Sequence, residues 1–85
     1  MLAGMRILVV DDERTLARSL QRGLVAEGFA VDVEHDGAAG YERARWGEYD
    51  AIVLDIMLPG RNGYDVVTAL RAEEVWTPVL LLSAK

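Results

Sequence analysis

The chain has 85 residues, of which 52% are hydrophobic and 27% charged, and its 14 acids against 9 bases leave a net charge of −5. That balance is globular and not disordered, and the length allows one small domain. With no cysteine, disulfides, thiolate metal sites and cysteine nucleophiles are excluded, and the scattered bases argue against nucleic-acid binding by this segment, which needs clustered Lys and Arg.

Arg6 to Val10 is an apolar run without polar interruption and predicts a central strand buried on both faces. Asp11, Asp12 and Glu13 stop it. Leu16, Leu20 and Leu24, with Ala17, recur at helical spacing, and Arg14, Arg18, Gln21 and Arg22 take the wet face. Gly28 ends that helix. Ala30 to Glu34 alternates like a half-exposed strand, with Val31 and Val33 on one side. Asp36-Gly37 marks a turn, and Ala38 to Trp46 predicts a short helix. Ala51 to Leu54 is a second fully apolar strand. Pro59-Gly60 and Asn62-Gly63 are turn signals, and Asn62 caps a helix that buries Val66, Ala69 and Leu70. Thr77-Pro78 breaks it, and Val79 to Leu82 is a last apolar strand. No apolar run approaches the roughly 20 residues needed to cross a bilayer. Met1 to Arg6 does not read as a secretion signal, so the expected location is cytoplasmic, with no membrane contact.

The order β-α-β-α-β-α-β predicts a parallel sheet with helices on both faces and right-handed crossovers. Ligands of such sheets sit beyond the carboxyl ends of the strands. There the sequence puts Asp11-Asp12, Asp55 and Ser83, each just after a strand. Three crowded carboxylates repel one another, and a divalent cation removes that conflict. Oxygen ligands alone, with no Cys and no nearby His, fit Mg²⁺ better than Zn²⁺. Blander roles compete. Asp11-Asp12 can cap the following helix, and Ser83 can be a turn residue. Asp55 is harder to explain that way, because it interrupts the run Ala-Ile-Val-Leu-Asp-Ile-Met-Leu, where an unpartnered charge is costly. His35, in a polar turn, is expected at the surface. Trp46, Trp76 and Tyr64 are expected to pack, not to form a binding platform. No Gly-rich phosphate loop is present.

The segments Ile-Leu-Val-Val-Asp-Asp-Glu (7–13), Leu-Asp-Ile-Met-Leu-Pro-Gly (54–60) with Gly63, and Val-Leu-Leu-Leu-Ser-Ala-Lys (79–85) resemble the receiver domain of bacterial two-component response regulators, in wording most like the OmpR/PhoB type. The resemblance covers the chain after Gly4. It implies a flavodoxin-like, doubly wound parallel sheet. It implies that Asp55 is the phosphoryl acceptor, Asp12 a direct Mg²⁺ ligand, and Asp11 a ligand mainly through water, with the backbone carbonyl of Met57 completing the protein's share. Ser83 stands where the family has a switch Ser/Thr that hydrogen-bonds the phosphoryl group. Pro59 and Gly63 shape the loop after the acceptor, and Asn62 stands where Asp is common. The implied partner is a sensor histidine kinase, which supplies the phosphohistidine. DNA enters only through an output domain outside these residues.

The family fold has five βα units in strand order 2-1-3-4-5 and needs about 110 to 125 residues. Residues 1–85 supply four strands and three helices, so they read as the N-terminal part of a receiver domain. Lys85 is not the family's active-site lysine, which follows the fifth strand. An open fourth strand, Val79 to Leu82, invites pairing with another chain, as a homodimer or a domain-swapped assembly. A phosphorylation-incompetent interaction or dimerisation module is therefore the alternative function. An Asp-nucleophile phosphohydrolase is disfavoured, because such enzymes carry a second Asp two residues after the nucleophile, where this chain has Met57.

Overall fold

The computed structural model describes residues 4–82. Four strands, β1 (Arg6–Val10), β2 (Ala30–Glu34), β3 (Ala51–Asp55) and β4 (Val79–Leu82), alternate with α1 (Arg14–Ala26), α2 (Gly37–Trp46) and α3 (Gly63–Ala72). The strands form one parallel sheet in the order β2-β1-β3-β4. This is the flavodoxin-like arrangement the sequence predicts, with all four strands within one residue of their expected bounds.

The two strands richest in apolar residues are the two central ones. Ile7 and Val9 of β1 face α1, whose Ala17 is fully buried against them. Leu8 and Val10 face the other way and join Ile52 and Leu54 of β3 under α2 and α3, which contribute Ala44, Val66 and Leu70. Each face of the sheet thus has its own core, and β1 and β3 serve both. Gly40 of α2 lets that helix approach β1. A Cβ there would lie 2.7 Å from Val10 Cγ1.

Several local expectations need correction. Leu16 is 45% exposed: α1 packs over β1 and β2, and Leu16 faces the open pocket beside the strand ends instead of the core. Gln21 leaves the wet face and donates to the Val31 carbonyl at 3.3 Å. α3 ends at Ala72 and not at Thr77-Pro78. Glu74 adopts φ 62°, the left-handed region that ends a helix, although it is not glycine. The Leu70 carbonyl accepts the Val75 N–H, and the Arg71 guanidinium donates to the carbonyls of Val75 and Thr77, which stabilises that reversal. Trp46, Trp76 and Tyr64 do not pack inside; they are 74%, 68% and 59% exposed. The Arg45 and Arg71 guanidiniums stack on the two indoles at 4.8 and 5.9 Å.

The two outer strands differ in chemistry. β2 carries Asp32 and Glu34, both engaged by arginines from neighbouring elements. β4 exposes Leu80, which is 62% accessible on the α1 face of the sheet, beyond the helix itself, because α1 packs over β1 and β2. Asp32 accepts from the Tyr49 hydroxyl at 2.6 Å and from Arg6 at 2.6 Å. The Tyr49 hydrogen bond, then Arg6 and Arg43, hold its carboxyl below the ordinary 3.8 against an opposing push from burial. A depressed carboxylate value means stability that is complete above pH 3.8 and lost as pH falls through the lowered folded value. Asp32→Asn should therefore cost about 1 kcal/mol at neutral pH, a figure discounted for partial exposure. The gap from wild type should close in acid. Urea melts of both proteins across that range check this, and a gap that does not change with pH would refute it.

Candidate functional site

The carboxyl ends of β1 and β3 lie side by side, since Val10 pairs with Leu54. β1 connects outward to β2 on one flank, and β3 lies on the other. The crevice between them is thus the switch point at which open α/β sheets bind ligands.

Asp11 extends the β1 ladder by one step. Its N–H donates to the Glu34 carbonyl at 3.1 Å, and its Oδ1 accepts the Glu13 N–H at 2.9 Å. It is only 2% exposed. Asp12 follows and is exposed. Neither caps α1. That role falls to Glu13, whose side chain accepts the Leu16 N–H at 2.9 Å. The capping explanation for the Asp pair is therefore removed, and both carboxylates are left for other work.

Asp55 is the last residue of β3 and is 8% exposed. Its Oδ1 accepts the Met57 N–H at 3.1 Å, which turns the chain sharply out of the strand. The loop that follows is tightly tied. The Pro59 carbonyl accepts the N–H groups of Gly37 and Arg61, both at 3.0 Å. Gly60 has φ 82°, a conformation suited to glycine. Asn62 caps α3 by accepting the Asp65 N–H at 3.0 Å, as its position predicts. Gly63 donates to the Ile56 carbonyl at 2.8 Å and sits so close that a Cβ would lie 2.6 Å from the Asp55 carbonyl oxygen. The loop thus fixes the start of α3 directly against the Asp55 backbone.

One carboxylate oxygen each from Asp11, Asp12 and Asp55 lie within 4.8 Å of one another. They open into a cavity of about 610 Å³, walled on its far side by Leu16, Leu20 and Leu82. The Met57 side chain stands at its rim, 66% exposed. Burial first, then the charges of Asp55, Asp12 and Glu13, push the Asp11 carboxyl up, while its bond from the Glu13 N–H pulls the other way. Among the described residues no Lys or Arg pairs with any of the three acids. Two buried carboxylates without a cationic partner are costly. A small divalent ion with a preference for oxygen ligands fits this donor set.

Ser83 lies outside the described residues. His35, expected at the surface, is half buried, and its Nδ1 sits 2.9 Å from the Asp11 carbonyl oxygen. The sequence carries one signal for this: a ring nitrogen placed directly after a strand that ends level with the acids.

A doubly wound parallel sheet with a cluster of carboxylates at its switch point defines an acid-pocket α/β domain. The chain belongs to the response regulator receiver domain family, whose profile matches residues 7–85. Domains of this family are signalling domains. The chain is similar to the transcriptional regulatory protein TcrA of Mycobacterium tuberculosis, with 48% identity over 84 residues that cover 99% of this chain and 33% of TcrA. It is also similar to the transcriptional regulatory protein CusR of Escherichia coli K12, with 46% identity over 80 residues that cover 94% of this chain and 35% of CusR. The chain spans about a third of the length of the curated relatives it matches. Among solved structures, it is similar to the receiver domain of the sensor histidine kinase PA1611 from Pseudomonas aeruginosa, which holds a magnesium ion in its active site cleft. The TM-score is 0.91 at 32% identity, over 98% of this chain and 70% of that one. The acid cluster here is compatible with the same ion. No helix among the described residues is long and apolar enough to cross a membrane.

Proposed function

We propose that Asp55 accepts a phosphoryl group from the phosphohistidine of a sensor histidine kinase, in a reaction that needs Mg²⁺ held by Asp12, Asp55 and, through water, Asp11. The supporting observation is that Asp55 is a buried carboxylate at a strand end, with its oxygen within 4.8 Å of two further carboxylates. Its Oδ1 is engaged by the Met57 N–H, which leaves the second oxygen as the nucleophile. That oxygen forms a bond to phosphorus as the bond from phosphorus to the histidine nitrogen breaks, giving an acyl phosphate and a free imidazole. When bound, Mg²⁺ neutralises charge on the phosphoryl oxygens. The Met57 carbonyl would complete the protein's ligands, and the Ser83 hydroxyl would donate a hydrogen bond to a phosphoryl oxygen. Pro59 and Gly63 hold the loop against which the acceptor is braced.

Residues 1–85 then act as the N-terminal part of a receiver domain that controls a DNA-binding output domain, in keeping with the names of TcrA and CusR. A second reading, an interaction module that does not take phosphate, is favoured by the exposed Leu80 on the outer strand β4. A homodimer or a domain-swapped assembly would cover that edge.

Intact mass after acetyl phosphate plus Mg²⁺ separates the two readings. A phosphoryl adduct on wild type but not on Asp55→Asn is the expected result, and it should vanish when Mg²⁺ is chelated. Unlabelled wild type in a folded sample would favour the interaction module.

A further inference from the structure

We infer that His35 is a positioning residue for the metal site: it holds the peptide that joins Asp11 to Asp12. This rests on the Mg²⁺ reading given above. The Asp11 carbonyl can only accept a hydrogen bond, so the nitrogen 2.9 Å from it, Nδ1, must carry a proton. In the neutral ring Nε2 is then bare. The ring stands at the end of β2, one residue beyond Glu34, whose carbonyl takes the Asp11 N–H at 3.1 Å. Residues 34 and 35 therefore grip both backbone polar groups of Asp11 from the same side. The Asp11 C=O and the Asp12 N–H belong to one planar unit, so a donor on that oxygen fixes the plane from which the Asp12 side chain departs. Asp12 has no hydrogen bond of its own among the described residues, so its placement relative to Asp11 and Asp55 depends on this backbone unit. Asp11 needs no such help at its side chain, which the Glu13 N–H already orients. His35 thus does for the second acid what Glu13 does for the first.

The test uses Mg²⁺ alone as the probe, titrated calorimetrically into wild type, His35→Asn and His35→Leu. The asparagine amide nitrogen can stand near the Nδ1 position and donate, whereas leucine cannot. The leucine variant should bind Mg²⁺ about 10-fold more weakly, as loss of an outer hydrogen bond does in other metal sites, and the asparagine variant should stay within about twofold of wild type. Once Mg²⁺ saturates, acetyl phosphate should label both variants at the wild-type rate, a split that a general loss of structure does not produce. Equal affinity in all three proteins, or equal loss in both variants, would overturn the assignment. A wild-type measurement stands beside the variants: nitrogen-resolved NMR of the neutral His35 ring should show the proton on Nδ1, and a proton on Nε2 would refute the role even if the leucine variant did not fold. Wild type that binds no Mg²⁺ would sink the metal reading, and this role with it. Normal wild-type binding with no loss in the leucine variant would remove only the role of His35.

Discussion

Leu54→Ala should lower folding stability by about 3–5 kcal/mol, the upper range for a buried leucine reduced to alanine. Leu54 is fully buried in the central strand β3, between Leu8 and Val10 on one side and the helices α2 and α3 on the other. The residue it precedes is Asp55, so a cavity here opens directly beneath the acid cluster. A domain of this size has a stability near the lower end of about 5–15 kcal/mol, and the loss would consume most of it. Urea denaturation should show a midpoint displaced far toward zero with an unchanged slope. Leu80→Ala is the matched control. It removes the same atoms from a side chain that is 62% exposed, and its effect should stay within about 0.5 kcal/mol. Similar losses at both positions would contradict the assignment of the core to β1 and β3.

Gly63→Ala should damage stability and the acid site together. The new Cβ would meet the Asp55 carbonyl oxygen at 2.6 Å, the Ile56 Cα at 2.9 Å and the Asp55 carbonyl carbon at 3.2 Å. All three are backbone atoms, so none can swing aside. Alanine's better helix propensity, at most about 1 kcal/mol, does not offset a steric cost of about 1–3 kcal/mol. Relief must come from moving the start of α3 or the Asp55 peptide. A shift of about 1 Å at a reacting group can cost about 100-fold in rate, so acetyl phosphate labelling should fall steeply even where the protein remains folded. Gly23→Ala in α1 meets nothing within 4 Å and should instead stabilise by about 0.4–1 kcal/mol. Thermal melts and labelling rates of the pair decide the matter. Normal labelling in folded Gly63→Ala protein would mean that the loop tolerates movement without disturbing the acceptor.

The parts of this molecule legible in its sequence are those whose cause is local. Unbroken apolar runs mark β1, β3 and β4: the two central strands are covered on both faces and leave no place for polar residues, and the outer β4 packs Val79 and Leu81 against the core. Asn62 announces α3, because a cap acts on the three residues after it. The convergence of Asp11, Asp12 and Asp55 was legible because parallel topology alone brings those strand ends together. What escaped depends on side-chain contacts that no residue pattern announces. The end of α3 at Glu74 relies on Arg71 reaching forward to the carbonyls of Val75 and Thr77. The burial of His35 relies on a carbonyl 24 positions earlier. Trp46 and Trp76 look like core residues by type, yet each is satisfied at the surface by a nearby arginine. Glu13 took the cap that the two aspartates before it could equally have supplied, a choice fixed by where β1 stops.

The salt links of β2 guard one border of the sheet. There Asp32 and Glu34 are tied to Arg6 and Arg43, and a strand laid alongside would have to strip those charges of their partners or their water. That border therefore resists adhesion to another chain, and the same carboxylates that steady the fold keep copies of it apart.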